Sequence, residues 1–318
     1  MHEVLSCLGV HPDGCYVDCT LGGGGHASAI YRSLETDGLL IGIDQDQDAL
    51  TAAEKSLSEL PVKAGRKLVH ARFSELADVL TNLDINQVDG ILADLGVSSW
   101  HLDQAERGFS YQSDGPLDMR MDASGLLTAE TIVNTWTQQN LAKILKTYGE
   151  ERYAMRISQA IVLKREQKPI RSTAELADII RTAMPAAARR EKQHPAKRSF
   201  QALRIAVNDE LAELETLLRD APKLLKNGGR FCVISFHSLE DRMVKQGFRE
   251  LENPCICPKT FPVCTCGRQP LGRVITRKPI LADETEVQIN PRARSARLRC
   301  FERIMQQPAE QDGGSLNV

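Results

Sequence analysis

Four features of this sequence carry residue types that could do chemistry. The first is Asp18-Cys19-Thr20-Leu21-Gly22-Gly23-Gly24-Gly25-His26-Ala27. Glycines where a strand meets a helix let the backbone approach a ligand closely, and the helix start adds N–H donors. Gly22-x-Gly24-x-x-Ala27 fits the dinucleotide pattern, and Asp44, 22 residues beyond Gly22, is placed to accept both hydroxyls of a ribose. That pair suits a nicotinamide dinucleotide and S-adenosylmethionine equally; a tight turn with a capping carboxylate is the plain alternative. The second feature leans toward S-adenosylmethionine. Phe73 follows a strand where an aromatic can lie on an adenine face or simply pack in the core, and Asp94 ends another strand at the edge where a reacting group would sit.

The third feature is a pair of Cys-x-Cys motifs, Cys255/Cys257 and Cys264/Cys266, in one Pro-rich loop, 254–267. Four thiolates could fold around a tetrahedral Zn²⁺, although the spacing differs from the common knuckle; plain reduced cysteines are the other reading. The fourth is charge. The chain carries a net −2, yet Arg152–Arg204 holds 13 Lys/Arg against 4 Asp/Glu, and Arg242–Arg303 holds 13 against 6. Basic segments on an acidic remainder suit a polyanion partner, or merely solvated helix faces.

The elements that must position these residues follow from the hydropathy pattern. Short apolar runs alternating with helical patterns predict a parallel sheet covered by helices, with strands at Tyr16–Thr20, Leu39–Asp44, Lys67–Phe73, Val88–Leu95 and Gly229–Phe236. Strands four and five of such a sheet are normally one helix apart, so an all-helical insertion is expected at 100–200. Residues 1–99 and 201–305 then form the two parts of an α/β core, and 306–318 a flexible tail. Within the insertion, Ser172 and Glu175 make a capping-box pattern. Ser199–Leu218 reads as one long helix returning to the sheet, and Lys223–Gly229 as a helix end. The insertion is expected to position a polyanion and leave the cofactor pocket to residues before Trp100. At 42% apolar and 26% charged the composition is that of a globular protein. No run approaches a membrane span, Met1–Gly14 lacks the features of a signal peptide, and nine cysteines without a disulfide framework suit a cytoplasmic, reducing compartment.

Several longer motifs carry a family likeness. They are Asp94-Leu95-Gly96-Val97-Ser98-Ser99, Glu106-Arg107-Gly108-Phe109-Ser110, Asp114 to Asp122, Tyr148-Gly149-Glu150-Glu151-Arg152, Phe200 to Asn208, Ile234 to Arg242, and Asn290 to Ser295. In this order, across almost the whole length, the chain resembles the bacterial 16S rRNA (cytosine-N4-)methyltransferases, the RsmH or MraW family. The resemblance implies a class I (Rossmann-like) S-adenosylmethionine-dependent methyltransferase sheet with an inserted helical domain. It further implies methylation of N4 of a decoding-centre cytosine in 16S rRNA, with the small ribosomal subunit as partner and no membrane involved. On the same footing Gly24, Gly25, His26, Asp44, Phe73 and Asp94 match the family's S-adenosylmethionine contacts, and His101 stands where a further contact, usually Gln, is expected. Gly23 replaces a residue that is often Arg, and the sequence opens inside the family's usual start.

The chemistry so implied is demanding. The amino nitrogen of cytosine has its lone pair delocalised into the ring, so it must be held in line with the methyl while an acceptor draws on an amino hydrogen. Asp94 could supply that acceptor, Ser98 or Ser99 could hold the base edge, and His237, at the end of strand five, is a second candidate or a structural histidine. On the sequence alone, a dehydrogenase and a non-catalytic RNA-binding factor are the competing functions.

Overall fold

The strands form where apolar residues run continuously rather than alternately, as they must when both faces of a sheet are covered. The structure, a computed structural model, describes residues 1–305 apart from Lys192, Lys259 and the Ser99 side chain. The expected tail, 306–318, lies outside the described residues. Among the described residues, eight strands build one sheet: β1 (Cys15–Asp18), β2 (Leu39–Asp44), β3 (Gly65–His70), β4 (Val88–Asp94), β5 (Leu225–Ser235), β6 (Gly272–Val274), β7 (Ile280–Leu281) and β8 (Arg297–Arg303). Their order is β3-β2-β1-β4-β5-β8-β6, with β7 also on β8; β1 to β5 are parallel and β8 runs antiparallel to β5. The parallel part is the helix-covered sheet that the apolar pattern predicts, and the whole agrees with the class I sheet that the family resemblance implies. Alternate residues of one strand feed opposite faces. Val17, Ile41, Ile91 and Phe231 enter one apolar cluster, and Tyr16, Leu40, Leu92 and Cys232 the other. The strand order reverses between β1 and β4, which opens a crevice beyond their carboxyl ends.

Residues 95–224, between β4 and β5, are largely helical. Helices Ala129–Thr135, Gln138–Tyr148 and Thr173–Ala183 are capped by Thr128, Thr137 and Ser172, and the Ser172/Glu175 capping box forms as its spacing predicts. With helices Ala154–Arg165 and Lys197–Asn208 they bury a separate cluster that includes Leu141, Leu145, Ile157, Leu176, Ile180 and Leu203. Each such side chain contributes about 1.5–3 kcal/mol relative to exposure. Among the described residues, no helix is long and apolar enough to cross a membrane.

Two expectations are corrected. The single helix Ser199–Leu218 is two, Lys197–Asn208 and Glu210–Asp220, broken at Asp209 with φ 53°. The first packs in the helical body, and only the second, through Leu214 and Leu217, joins the sheet. The cause is Asn208. Its Oδ1 accepts from Met121 N–H at 2.8 Å, and its Nδ2 donates to the Met119 carbonyl at 2.8 Å and the Arg204 carbonyl at 2.9 Å. The second correction concerns Lys223–Gly229. The helix stops at Asp220, Pro222 follows in a 3₁₀ turn, and Leu225 already pairs with Val88 in β5. The register shifts between Val88 and Gly90, and Gly228 supplies the positive φ of 79° in the opposing irregular stretch.

Asn208→Ala leaves the buried Met121 N–H without its acceptor and should cost about 1–3 kcal/mol in urea unfolding. A change below about 0.5 kcal/mol, the size typical of surface positions, would show that the helix break does not depend on this side chain.

Candidate active site

The carboxyl ends of β1, β2 and β4 each carry an acid, Asp18, Asp44 and Asp94. A cleft of about 760 Å³ is lined by Asp44 and Asp94, while Asp18 is buried. Of the residues singled out from sequence, Gly25, His26, Asp44, Phe73, Asp94, Ser98, His101 and His237 line it. Gly24 instead faces helix Gln47–Ser58: its φ is 78°, and a Cβ there would stand 3.3 Å from Ala53. It sets the turn, while a Cβ on Gly23 or Gly25 would meet nothing within 4 Å. Ser99 begins helix Ser99–Asp103, and its side chain lies outside the described structure. The opposite wall comes from the helical body, through Tyr111, Met121, Lys197, Phe200, Gln201 and Arg204. The insertion therefore does build part of the pocket, contrary to the expectation that it stands apart.

The three acids differ in their partners. Asp44 accepts from Gly22 N–H on Oδ2 at 2.7 Å and from Asp46 N–H on Oδ1 at 2.9 Å. Burial raises its pKa, and these two N–H groups oppose the rise without cancelling it. Asp18 is buried; Thr20 N–H donates to its Oδ1 at 3.2 Å, whereas Oδ2 has no partner. Burial pushes its pKa up to about 8. Asp94 has its own N–H on Thr20 Oγ1 at 2.6 Å, a sealed Oδ1 with no partner, and Oδ2 3.5 Å from His26 Nδ1. Burial and the charge of Glu240 push Asp94 to about 7, while burial lowers His26 to about 4. His26 is thus neutral at neutral pH, and its approach to Asp94 is not an ion pair there.

His101 is buried with both ring nitrogens engaged. Nε2 lies 2.6 Å from Asp46 Oδ2, and Nδ1 lies 3.2 Å from Ser98 Oγ, which also accepts His101 N–H and caps the short helix. Arg107 reaches the same Asp46 oxygen at 3.0 Å. Burial works against the Asp46 charge, but the bonds from His101 and Asp48 N–H and the charge of Arg107 hold its pKa below the ordinary carboxylate value. The sequence gives no sign of this role for Asp46, which two residues beyond Asp44 looks like an ordinary helix cap. It is also that: Oδ1 accepts Asp48 N–H.

His237 is the N-cap of helix Ser238–Glu252, its Nδ1 accepting Glu240 N–H at 3.4 Å. Its proton then belongs on Nε2, which lies 3.0 Å from Glu240 Oε1 but outside hydrogen-bond alignment. Beside it Arg204 grips Glu210 with two bonds, 2.8 and 2.7 Å. This pair could not be read from sequence, because residues six apart on a continuous helix do not face each other; the break at Asp209 brings them together. The four loop cysteines line no part of the cleft. Their Sγ atoms lie within 4.8 Å of one another.

Residues 1–304 match the MraW methylase family. The chain is 51% identical over 304 residues to the Ribosomal RNA small subunit methyltransferase H of Symbiobacterium thermophilum, covering 96% of this chain and 95% of that protein. To the protein of the same name from Acetivibrio thermocellus it is 53% identical, covering 96% and 97%, and to that from Clostridioides difficile 48%, again covering 96% and 97%. A match along residues 1–304, with about half of the positions identical in full-length relatives, establishes that the chain belongs to the MraW methylase family.

Proposed function

We propose that this chain transfers the methyl group of S-adenosylmethionine to the N4 amino group of a cytosine in the decoding centre of 16S rRNA, acting in the cytoplasm on the small ribosomal subunit. One observation carries the reading: in a chain so close to rRNA small subunit methyltransferases, the glycine turn, Asp44 and Asp94 converge on one cleft at the sheet's switch point. The residues present fit the donor. Asp44 has both oxygens fixed by backbone N–H groups, and each keeps a lone pair for a ribose hydroxyl. Gly23 and Gly25 leave open space for a close backbone approach, and Phe73 offers an apolar face for adenine. When bound, S-adenosylmethionine supplies an electrophilic methyl on a sulfonium.

The chain's own part is to hold and deprotonate. Asp94 lines the cleft with Oδ1 sealed, so Oδ2 is the atom that can accept an amino hydrogen of the target; a pKa near 7 is suited to that task. His237 is not an acceptor, since Nδ1 is taken and Nε2 carries the proton. We assign it, with Glu240, to holding the end of β5. His101, engaged on both nitrogens, keeps Asp46 and the loop after β4 in place and offers the donor no free polar atom. Ser98 Oγ is engaged in the same network, through His101 N–H and Nδ1. Exposed Trp100 and Phe236 at the cleft give an unstacked base an aromatic surface. The helical body, with exposed Arg189, Arg190 and Arg198, takes the phosphates.

Mass-spectrometric nucleoside mapping of 16S rRNA from a strain lacking the protein should show one cytosine without its N4 methyl, restored by the wild-type gene. Unaltered modification would refute the activity. In vitro, the rate should rise with pH through about 7 as Asp94 ionises, and Asp94→Asn should lose that dependence and about 10²–10⁴ in kcat. An unchanged pH profile in the Asn variant would remove Asp94 from the reaction.

Asp44→Ala should weaken S-adenosylmethionine binding by roughly ten- to a hundredfold, as loss of charged hydrogen bonds does; calorimetry with unchanged affinity would take Asp44 out of the site. Neutralising Arg189, Arg190 and Arg198 together should leave that affinity intact. The log–log salt slope of RNA binding should shrink by roughly 0.7–0.9 for each phosphate no longer neutralised. A slope that stays put would mean that these side chains only solvate the surface.

A further inference from the structure

The segment joining helix Ser238–Glu252 to β6 poses a packing problem. Among its described residues, 253–270, none is buried, and Ile256, Phe261 and Val263 stand 66%, 53% and 71% exposed. Those residues form no helix or strand, and their backbone makes one internal bond, Phe261 N–H to the Pro258 carbonyl at 3.0 Å. A stretch with no core of its own needs another device to hold one conformation. At its centre the four sulfurs meet: Cys255 to Cys264 at 3.4 Å, Cys264 to Cys266 at 3.4 Å and Cys257 to Cys264 at 3.9 Å, all four within 4.8 Å of one another.

Those distances discriminate between explanations. Zinc–thiolate bonds of about 2.3 Å in a tetrahedron place the sulfurs about 3.8 Å apart, close to the separations seen. Two disulfides would need two pairs at about 2.05 Å, with each pair turned from the other. Here Cys264 is equally near two partners and close to a third, which is the geometry of a shared centre. Thr265 N–H also points at Cys257 Sγ at 3.4 Å, a donor suited to a sulfur that carries negative charge.

We propose that Cys255, Cys257, Cys264 and Cys266 bind one Zn²⁺ as a structural, fully sulfur-coordinated site that fixes the 253–271 loop against the sheet. Four thiols become thiolates on binding, and their protons pass to solvent. No described residue of 253–271 lines the cleft, so the site serves the loop and not the methyl transfer, and the proposal stands apart from the reading of the cleft.

The test uses the full chain purified without chelators or added metal. Elemental analysis should find about one zinc per chain, and X-ray absorption should give a shell of four sulfurs at about 2.3 Å. Cys264→Ser and Cys266→Ser should each lose most of that zinc, whereas Cys15→Ser should keep it. Should those variants misfold, the wild-type chain gives the same answer. Mercurial displacement of the metal, read with a chromophoric chelator, should raise protease cleavage within 254–270 at least tenfold and leave S-adenosylmethionine affinity unchanged. Metal-free protein, a shell containing nitrogen or oxygen ligands, disulfides among the four cysteines in alkylated peptides, or another metal at stoichiometry would each overturn the assignment.

Discussion

Three carboxyl groups brought to one edge of a sheet with little water around them are the constraint on which the site depends. Asp18, Asp44 and Asp94 arrive together because β1, β2 and β4 are parallel neighbours in the order β2-β1-β4, so their carboxyl ends must coincide. Like charges so placed cannot all ionise freely. The fold separates them by giving each a different set of donors. Asp44 receives two backbone N–H groups, Asp18 keeps one oxygen unpartnered, and Asp94 has no strong donor on either oxygen. Asp18 and Asp94 are both pushed near neutrality, to about 8 and about 7, and of these two Asp94 lines the cleft.

The acidic edge also explains why the loops around it are tied so thoroughly. Asp46, two residues past Asp44, adds a fourth carboxylate, and it is held by His101, Arg107 and the N–H of Asp48. Arg107 in turn donates to the carbonyls of Arg120 and Met121, and Met121 is fixed by Asn208. A continuous path of hydrogen bonds thus runs from the sheet edge through the loop after β4 to the break between the two long helices. The helical body is docked through polar groups that each have a partner, and so its wall of the cleft has a defined position.

Much of this was legible in the sequence because it is local. A glycine turn after an apolar run, an acid at a strand end and a capping box are written within ten residues, and Gly25, Asp44, Asp94 and Ser172 fall where those patterns put them. What was not legible is long-range. Arg204-Ile205-Ala206-Val207-Asn208-Asp209-Glu210-Leu211 continues a helical apolar period, and nothing local says that Asn208 will spend its side chain on Met119 and Met121. The engagement of both His101 nitrogens depends on Asp46, 55 residues earlier. In the other direction, Lys226-Asn227-Gly228-Gly229 looks like the end of a helix, yet the pairing of Leu225 with Val88 outweighs that local composition.

The break at Asp209 has a consequence for the chemistry beyond shape. It sets Arg204 against Glu210 and within reach of Glu240; burial works against the charge of Glu240, but His237 first and then the charge of Arg204 hold its pKa below the ordinary value. Ionised Glu240 is in turn a cause of the raised pKa of Asp94. Burial is the larger cause of the raised pKa of Asp94, and the helical body's arginine, ranking behind His237, adds to it through a glutamate on the helix after β5. A sheet of this type without the insertion would keep the glycine turn and Asp44, but it would lack Arg204. Glu240 would then lose one of the groups that favour its charge. The insertion therefore brings a positive charge to Glu240 as well as a wall to the cleft.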